Sequence, residues 1–222
     1  MPFREVPLIT DSYYHVLNRG VAKLPTYLDV YDYRHALLGL SYYRFSQPPM
    51  RLSQLLDLST SLRRSAFDRL EESGERLVDI IAWCLMPNHF HLLLRQRVDG
   101  GISQLLRRWT DSYSRYFNRR HDRVGPLFQG VFKNVLVTSN EQLVHLSRYI
   151  HINAPVAGLT SREKLWEYPW SSAGEYEGSR RGFCTPEIVL DQFEENGYRR
   201  FVEDHLDYAA QLEAIKHLTL EE

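Results

Sequence analysis

Two histidines, His89 and His91, are separated by one phenylalanine inside an apolar stretch of the chain. The run 83–94 reads as strand, and successive side chains of a strand point to opposite faces. The two imidazoles therefore share a face, about 7 Å apart along the backbone. Imidazoles so placed can share one divalent cation. The pair alone is equally consistent with two half-exposed histidines on a sheet face, so the interpretation depends on residues elsewhere.

A second set of candidate residues lies on a helix predicted over residues 140–153. Tyr149 and Asn153 are four positions apart, which places them side by side on one helix face. The amide oxygen of Asn153 suits Mg²⁺ or Mn²⁺, so together with His89 and His91 it could build a three-ligand site. Tyrosine can act as a covalent nucleophile, and against a phosphodiester a divalent cation would assist it. The alternative to a catalytic role is that Tyr149 is a structural helix residue that packs on the sheet.

The charge of the chain is unevenly distributed, although its formal net charge is only −1. Residues 104–133 contain seven Lys and Arg against two acids, whereas residues 160–222 contain 14 acids against seven bases. A basic middle section in a nearly neutral protein predicts a surface that binds a polyanion. The acidic section is typical of a solvated helix face.

Composition and length limit the size of the domain, its relation to membranes and the state of its cysteines. A chain of 222 residues with 43% hydrophobic residues can form one domain with a core and an appendage. It has no apolar run long enough to span a membrane and no apolar leader near Met1, so we expect a cytoplasmic protein. Cys84 and Cys184 lie in unrelated contexts and are predicted to be free thiols.

The order of predicted elements is strand, helix, strand, strand, helix, strand, which is that of a ferredoxin-like α+β sandwich: an antiparallel sheet with helices on one face. The boundaries follow from apolar periodicity, turn residues and a capping pattern at Ser139. The predicted strands are 13–18, 77–86, 89–96 and 131–137, and the predicted helices are 32–45, 102–119 and 140–153, with Pro155 ending the last. Residues 47–76 form an insert of one or two short helices, and C-terminal helices are predicted at 171–177, 186–195 and 197–216. We expect a catalytic domain over residues 1–158 and a helical extension over 159–222.

Several ordered motifs together resemble the REP-associated branch of the single-tyrosine HUH transposases, which are IS200-like. The resemblance covers most of residues 10–175. The motifs that carry it are YHVLNRG at 14–20, PNHFHLLL at 87–94, YFNRRH at 116–121, GPLFQGVFK at 125–133, SRYIHIN at 147–153 and YPWSS at 168–172.

The resemblance implies a ferredoxin-like domain that cuts and rejoins single-stranded DNA near hairpins. It assigns Mg²⁺ or Mn²⁺ to His89, His91 and Asn153, and a 5′-phosphotyrosine link to Tyr149. Tyr113 and Tyr116 compete for that role, but only Tyr149 has a metal-competent residue four positions on. The sequence departs from the family in having one extra residue between Asn153 and Pro155, and in its long 47–76 insert.

DNA contacts are expected from basic residues and from a loop next to the basic stretch. The predicted contacts are Arg19, Arg107, Arg108, Arg115, Arg119, Arg120, Arg123, Phe128, Gln129 and Lys133. Trp109 and Phe117 are expected in the core instead, because of their helical spacing.

Four functions remain open on the sequence. The first is a metal-dependent DNA strand transferase, and the second is a hairpin-DNA-binding protein with little or no catalysis. The third is a metal phosphodiesterase that uses activated water, and the fourth is a replication initiator or relaxase, which the short chain disfavours. The protein is predicted to be a monomer or a homodimer that binds single-stranded or hairpin DNA and no membrane.

Overall fold

The computed structural model describes residues 7–73 and 75–206. It contains a four-stranded antiparallel sheet with the order β2-β3-β1-β4. The strands are β1 (Tyr13–Arg19), β2 (Val78–Met86), β3 (His89–Gln96) and β4 (Lys133–Val137). The helices are α1 (Val30–Tyr43), α2 (Leu52–Asp57), α3 (Thr60–Ser73), α4 (Gly101–Arg120), α5 (Asn140–Val156), α6 (Ala173–Tyr176) and α7 (Glu187–Leu190).

This topology is the predicted ferredoxin-like sandwich. Strand β1 lies between β3 and β4, and helices α1 and α4 follow β1 and β3 and contact each other. The fold class predicted from the sequence is therefore confirmed. Helix α5 follows β4 and lies outside the ferredoxin-like unit.

The sheet separates two hydrophobic cores. On β3, Phe90, Leu92 and Leu94 point into a core shared with α1 and α4, whereas Leu93 points into a second core shared with α5. Alternation of side chains along the strand requires His89 and His91 to share the face of Leu93. The predicted core residues of α4, Trp109 and Phe117, are buried in the first core as expected.

The ends of α1 and α5 follow from local capping. Asp29 accepts hydrogen bonds from the backbone N–H groups of Tyr31 and Asp32, and Ser139 accepts one from Gln142. The prediction that Pro155 ends α5 is wrong, because the helix runs through it to Val156. The helix thus ends one residue after Pro155, and Ala157 N–H bonds to the carbonyl of Asn153 at this end.

The insert over residues 47–76 contains two helices, α2 and α3, as predicted. It is fixed to the sandwich by an ion pair between Arg44, at the end of α1, and Glu71 on α3. Arg44 is 4% exposed and also donates to the carbonyl of Phe183.

The C-terminal segment makes hydrogen bonds to β2, which is an edge strand of the sheet. Leu85 N–H donates to Trp170 and Ser172 N–H donates to Trp83, while the Tyr176 hydroxyl donates to Ile81. Two of the predicted C-terminal helices correspond to α6 and α7, both shorter than expected. Residues 197–206 are helical, and the rest of the helix predicted over 197–216 lies outside the described residues.

Two further sequence predictions concern thiols and membranes. Cys84 and Cys184 are free cysteines, as expected. Within residues 7–73 and 75–206, no helix is both long enough and apolar enough to cross a membrane.

A buried carboxylate joins α1 to α4. Asp32 is fully buried, and it accepts hydrogen bonds from Leu28 N–H and from Arg120, while its Oδ2 atom lies 2.9 Å from His121 Nε2. Arg120 makes a second, two-pronged contact with Asp29. The guanidinium of Arg120 therefore binds carboxylates at the contact between the two helices, although Arg120 was predicted to bind DNA.

We expect Arg120→Gln to lower the Tm by about 5 °C or more, because it removes the cation from a buried carboxylate. The matched control is Arg119→Gln, which changes an adjacent exposed arginine and is expected to leave the Tm nearly unchanged. Thermal unfolding followed by circular dichroism measures both. Equal shifts for the two variants would contradict a structural role for Arg120.

Candidate active site

Pairing of β1 with β3 brings three histidines together. Leu17 on β1 lies opposite His91 and Arg19 lies opposite His89. His15 points to the same face two residues before Leu17, and its Nε2 atom lies 2.9 Å from His91 Nδ1. The rings of His15 and His91 are stacked with centroids 5.2 Å apart, and the rings of His89 and His91 are 4.9 Å apart.

Helix α5 places Tyr149 against these rings. The ring of Tyr149 meets His91 edge-on at a centroid distance of 5.6 Å and His15 at 6.1 Å. Tyr149 is nonetheless 46% exposed, so it is accessible to a substrate. Asn153, one turn further along, donates from Nδ2 to the carbonyl of Tyr149, which leaves its Oδ1 atom as the oxygen that could bind a cation.

Burial keeps the histidine pair neutral. It lowers the pKa of His91 to about 3, with smaller contributions from His89, His15 and Arg19. Burial likewise lowers the pKa of His89 to about 4, with Arg19 adding to the effect. Because only a neutral imidazole can donate a nitrogen lone pair to a metal, both side chains are in the charge state that metal binding requires.

The hydrogen bonds of Asn88 determine the tautomer of His89. The Nδ2 atom of Asn88 donates to the carbonyl of Lys23 at 3.0 Å, which identifies its Oδ1 atom as an acceptor. His89 Nδ1 lies 2.6 Å from that oxygen and must therefore carry the proton. The Nε2 atom of His89 is left unprotonated. This is the usual arrangement for a metal-binding histidine, whose other ring nitrogen donates to a neighbouring oxygen.

His15 contacts the corresponding Nδ1 atom of His91, but a histidine, unlike the Asn88 oxygen, can either accept or donate there. When His91 donates from Nδ1 to His15 Nε2, the Nε2 atom of His91 is free to bind a metal. When His15 is the donor instead, the proton of neutral His91 sits on Nε2 and blocks that atom. His15 thus selects between a metal-competent and a metal-blocked form of His91.

The chemistry of the donor set fits a divalent cation. Two neutral imidazoles and one amide oxygen form an incomplete ligand set that leaves positions for phosphate oxygens. Within the described part of the chain, no group of three His, Cys, Asp or Glu side chains is arranged to hold a metal by itself. A cation here would therefore depend on His89, His91 and Asn153 together with substrate.

The competing tyrosines lie on the other side of the sheet. Tyr113 is buried in the first core, its hydroxyl donates to the carbonyl of Thr26, and burial raises its pKa well above the usual value. Tyr116 stacks on His35 with ring centroids 3.6 Å apart. Of the three tyrosines considered, Tyr149 is the one that contacts His91.

Some of the predicted DNA-binding residues surround this site. Lys133 on β4 and His91 on β3 both lie opposite Leu17, so the Lys133 side chain shares the face of His91. Arg19 ends β1 beside His89, and its carbonyl accepts a hydrogen bond from Gln129 N–H. Arg19, Gln129 and Lys133 are all exposed, which suits contact with a strand that lies across the site.

Other predicted contacts are placed elsewhere. Arg107, Arg108, Arg115 and Arg119 lie on α4, on the opposite side of the sheet from Tyr149. The guanidinium of Arg123 bonds to Asn118 and to the carbonyl of Pro126, so, like Arg120, it has partners within the protein.

The expectation that Phe128 is free to touch DNA is wrong. Its side chain is 8% exposed, and its ring packs edge-on against Phe90 in the first core. No local pattern predicts this burial, because Phe128 lies in a loop that contains Gly and Pro.

Sequence reasoning missed two residues of the site, His15 and Asn88. His15 could have been found, because the ferredoxin-like topology places β1 beside β3. A histidine on the correct face of β1 must then approach His91. Asn88 was treated only as a turn residue, and its bond to the His89 ring could not be read from its position before a histidine.

Comparison with known families gives a match over the middle of the chain. A family model described as IS200-like transposase matches residues 63–153, a segment that contains His89, His91, Tyr149 and Asn153. The resemblance to the IS200-like transposases is therefore confirmed over this segment.

Comparison with solved structures agrees. A REP-associated tyrosine transposase bound to a REP hairpin is similar with a TM-score of 0.51 and 15% identity, over 80% of this chain and 86% of that chain. At that identity the likeness establishes a shared fold. A comparison with curated protein sequences finds no match.

We expect Asn88→Ala to weaken Mn²⁺ binding by about 10- to 100-fold, because the His89 ring loses the acceptor that fixes its tautomer. Asn88→Asp retains an acceptor oxygen and is expected to restore much of the affinity. Titration with Mn²⁺ monitored by electron paramagnetic resonance measures both variants. An alanine variant that binds Mn²⁺ like the wild type would show that Asn88 does not orient a metal ligand.

Proposed function

We propose that the protein is a metal-dependent, transposase-like single-stranded DNA endonuclease and strand transferase that acts at hairpin DNA. The observation that carries the proposal is the exposed Tyr149 ring packed edge-on against His91, on the sheet face that His91 shares with His89, where burial keeps both imidazoles neutral. The family match over residues 63–153, which spans these same residues, supports it.

The proposed reaction uses the hydroxyl of Tyr149 as the nucleophile. Its oxygen attacks the scissile phosphorus, the P–O3′ bond breaks, and the 5′ end of one fragment becomes a phosphotyrosine. The departing 3′ oxygen takes up a proton, and the proton of the tyrosine hydroxyl passes to solvent, to which Tyr149 is open. Attack of a 3′-hydroxyl on the phosphotyrosine reverses the exchange and rejoins the strand with no nucleotide cofactor.

The cofactor would be Mg²⁺ or Mn²⁺ held by His89, His91 and Asn153. Its contribution when bound is to neutralise charge on the scissile phosphate and to orient the phosphorus for in-line attack. Asn88 and His15 would orient the two imidazoles, and Arg19 and Lys133 would hold neighbouring phosphates.

The proposed partner is single-stranded DNA that carries a hairpin. Support comes from the solved structure of similar fold, which was bound to a REP hairpin. Helix α5 packs on β2 and β3 of its own chain, which favours a tyrosine that serves its own active site. This geometry permits a monomer to act, and a homodimer remains compatible with the proposal.

A second candidate function is hairpin binding without efficient catalysis. It is favoured by one observation: four predicted DNA-binding arginines lie on α4, away from Tyr149. Such a surface could bind DNA whether or not the histidine site is active.

Cleavage by the wild type and by Tyr149→Phe distinguishes these functions. We expect a covalent protein–DNA adduct only with the wild type, on single-stranded DNA that carries the palindromes flanking the gene, in the presence of Mn²⁺. The adduct is detected on a denaturing gel with the DNA labelled on either side of the hairpin. The phenylalanine variant retains the ring that packs on His91, so DNA binding should persist.

Two outcomes of this experiment would contradict the proposal. Cleavage that survives in Tyr149→Phe would favour a hydrolase that uses activated water. Binding without an adduct, on this DNA and on a panel of other hairpins, would favour the non-catalytic binder.

We expect EDTA to abolish adduct formation and Mg²⁺ or Mn²⁺ to restore it, with salt-sensitive DNA binding largely kept throughout. His89→Ala should behave as the wild type does in EDTA, because it removes one of the proposed ligands. Adduct formation at the full rate in EDTA would rule out the metal-dependent mechanism, and equal loss of binding and cleavage in His89→Ala would contradict the ligand assignment.

A further inference from the structure

The buried face of α5 is not wholly apolar. Its buried residues recur at intervals of three and four along the helix, as expected for a face that packs on a core. They are Leu143, Val144, Ser147, Ile150, His151, Ile152 and Ala154. Two of them near the middle of the helix, Ser147 and His151, are polar and have no exposed surface. Because an unpaired polar group is costly to bury, the hydrogen bonds of these two side chains indicate what they do.

His151 joins α5 to two parts of the C-terminal segment. Its Nε2 atom lies 2.8 Å from the Ser172 hydroxyl, and its Nδ1 atom lies 2.7 Å from the Tyr198 hydroxyl. Ser172 also accepts a hydrogen bond from the backbone N–H of Trp83 on β2, at 2.9 Å. One imidazole therefore connects α5 with an edge strand of the sheet and with the chain that follows α5.

The direction of each bond in this set can be assigned. Ser147 donates to a carbonyl of its own helix at 2.8 Å, so its oxygen accepts from the Tyr198 hydroxyl at 3.1 Å. That uses the only proton of Tyr198, which must then accept from His151 Nδ1. Burial lowers the pKa of His151 to about 3, so its ring is neutral and Nε2 accepts from Ser172. We call Trp83, Ser147, His151, Ser172 and Tyr198 the α5 network.

The α5 network restricts the helix more than apolar packing alone does. Apolar side chains tolerate small rotations and shifts that keep the space filled, whereas a hydrogen bond weakens steeply as its angle falls. Ser147 and His151 lie one turn apart on the buried face, and both bond to Tyr198. Two directional anchors at different heights constrain both the rotation of α5 about its axis and its position along that axis.

The position of Tyr149 depends on the position of α5. Tyr149 precedes His151 by two residues, so it projects from another side of the helix, where its ring meets His91 edge-on. The ring is 46% exposed and so is packed on one side only. With its hydroxyl about 8 Å from the helix axis, a rotation of about 10° moves that oxygen by about 1.4 Å. A displacement of about 1 Å is enough to slow a reaction that depends on orientation by about 100-fold.

We propose that His151 is a positioning residue for Tyr149, and that its bonds to Ser172 and Tyr198 set the rotation and axial position of α5 that keep the Tyr149 ring on His91. The role of Tyr149 as nucleophile rests on the proposed function. The α5 network touches no reacting atom, so its members act only through the helix. The C-terminal segment, which lies outside the ferredoxin-like unit, thereby takes part in the reaction.

The first test compares two tyrosines of the second core. Tyr198→Phe removes one hydroxyl and leaves His151 Nδ1 without its acceptor. The matched control is Tyr176→Phe, which removes a hydroxyl that donates to the carbonyl of Ile81 on β2 at 2.9 Å. Tyr198 is 4% exposed and Tyr176 is 6% exposed, so the two changes are alike in chemistry and in burial.

A second pair of variants changes the histidine itself. His151→Leu removes both ring nitrogens from the α5 network. His151→Asn keeps an N–H donor near the place of Nδ1 and is expected to restore part of what the leucine variant loses. If a histidine variant fails to fold, the two tyrosine variants decide the question by themselves.

The position of Tyr149 is measured directly, without any chemistry. Fluorotyrosine is incorporated at position 149 of the full chain, and its fluorine NMR resonance is recorded without metal and without DNA. We expect Tyr198→Phe and His151→Leu to broaden the resonance or move it towards that of the unfolded protein. Tyr176→Phe should leave it unchanged, and His151→Asn should bring it back towards the wild-type position.

The rate of adduct formation is the second readout, measured in a single turnover with Mn²⁺ and the labelled single-stranded DNA described above. We expect Tyr198→Phe and His151→Leu to be slower by about tenfold to 100-fold at saturating DNA. The DNA concentration that gives half of the maximal rate should change by less than about twofold, because DNA binding is retained. Tyr176→Phe should react at nearly the wild-type rate, although thermal unfolding should show a similar loss of Tm for both phenylalanine variants.

Other results would overturn the inference. An unchanged resonance in both Tyr198→Phe and His151→Leu would show that the α5 network does not position Tyr149. Equal movement of the resonance in Tyr198→Phe and Tyr176→Phe would attribute the effect to loosening of the whole second core.

Failure of this inference can be told apart from failure of the proposed function. If the wild type forms no adduct but the resonance moves in Tyr198→Phe and not in Tyr176→Phe, the positioning role stands and the proposed chemistry is wrong. If the wild type and Tyr198→Phe form the adduct at the same rate and the resonance does not move, the chemistry stands and the positioning role is wrong.

Discussion

The antiparallel register between β1 and β3 is the constraint on which the rest of the candidate site depends. It sets Leu17 opposite His91 and Arg19 opposite His89, and it brings His15 Nε2 to 2.9 Å from His91 Nδ1. A slip of one residue would turn the β1 side chains to the other face. His15 would then lie in the first core, which is built from apolar side chains such as Val16 and Leu92. The hydrophobic alternation of β1 therefore secures the polar contacts as well as the packing.

The sheet also separates two tasks. Its α1 and α4 side holds the larger apolar core and carries the arginines of α4 on its outer surface, whereas its other side holds the histidines and Tyr149. On that second side, α5 is positioned by a buried hydrogen-bond network. His151 lies 2.8 Å from the Ser172 hydroxyl and 2.7 Å from the Tyr198 hydroxyl. The C-terminal segment thus holds α5 in place through His151, which lies two residues after Tyr149, the proposed nucleophile.

The sequence was sufficient for the fold, because the order of elements and their apolar periodicity are local properties. It was also sufficient to name His89, His91, Tyr149 and Asn153, since short-range spacing on a strand and on a helix determines which side chains share a face. It was insufficient where burial depends on distant packing. Phe128 was expected to be exposed in a loop, but its ring packs beside Phe90. Arg120 was grouped with the other arginines of the basic middle section, but it pairs with Asp29 and Asp32 at the contact between α4 and α1. No periodicity within α4 distinguishes Arg120 from Arg119, because the partner residues lie about 90 positions away.

The neutrality of the candidate metal ligands has a consequence for substrate binding. Carboxylate ligands would reduce the positive charge of a bound divalent cation, whereas two neutral imidazoles and one amide leave that charge intact. Under the proposed function, the charge of such a cation would attract the phosphate oxygens of DNA, which could serve as its further ligands. A cation and a DNA strand should consequently each strengthen the binding of the other, because the phosphates would complete the ligand set and the cation would neutralise their charge. Burial, which lowers the pKa of His91 to about 3 and of His89 to about 4, keeps this arrangement intact across the physiological pH range by opposing protonation of the two imidazoles.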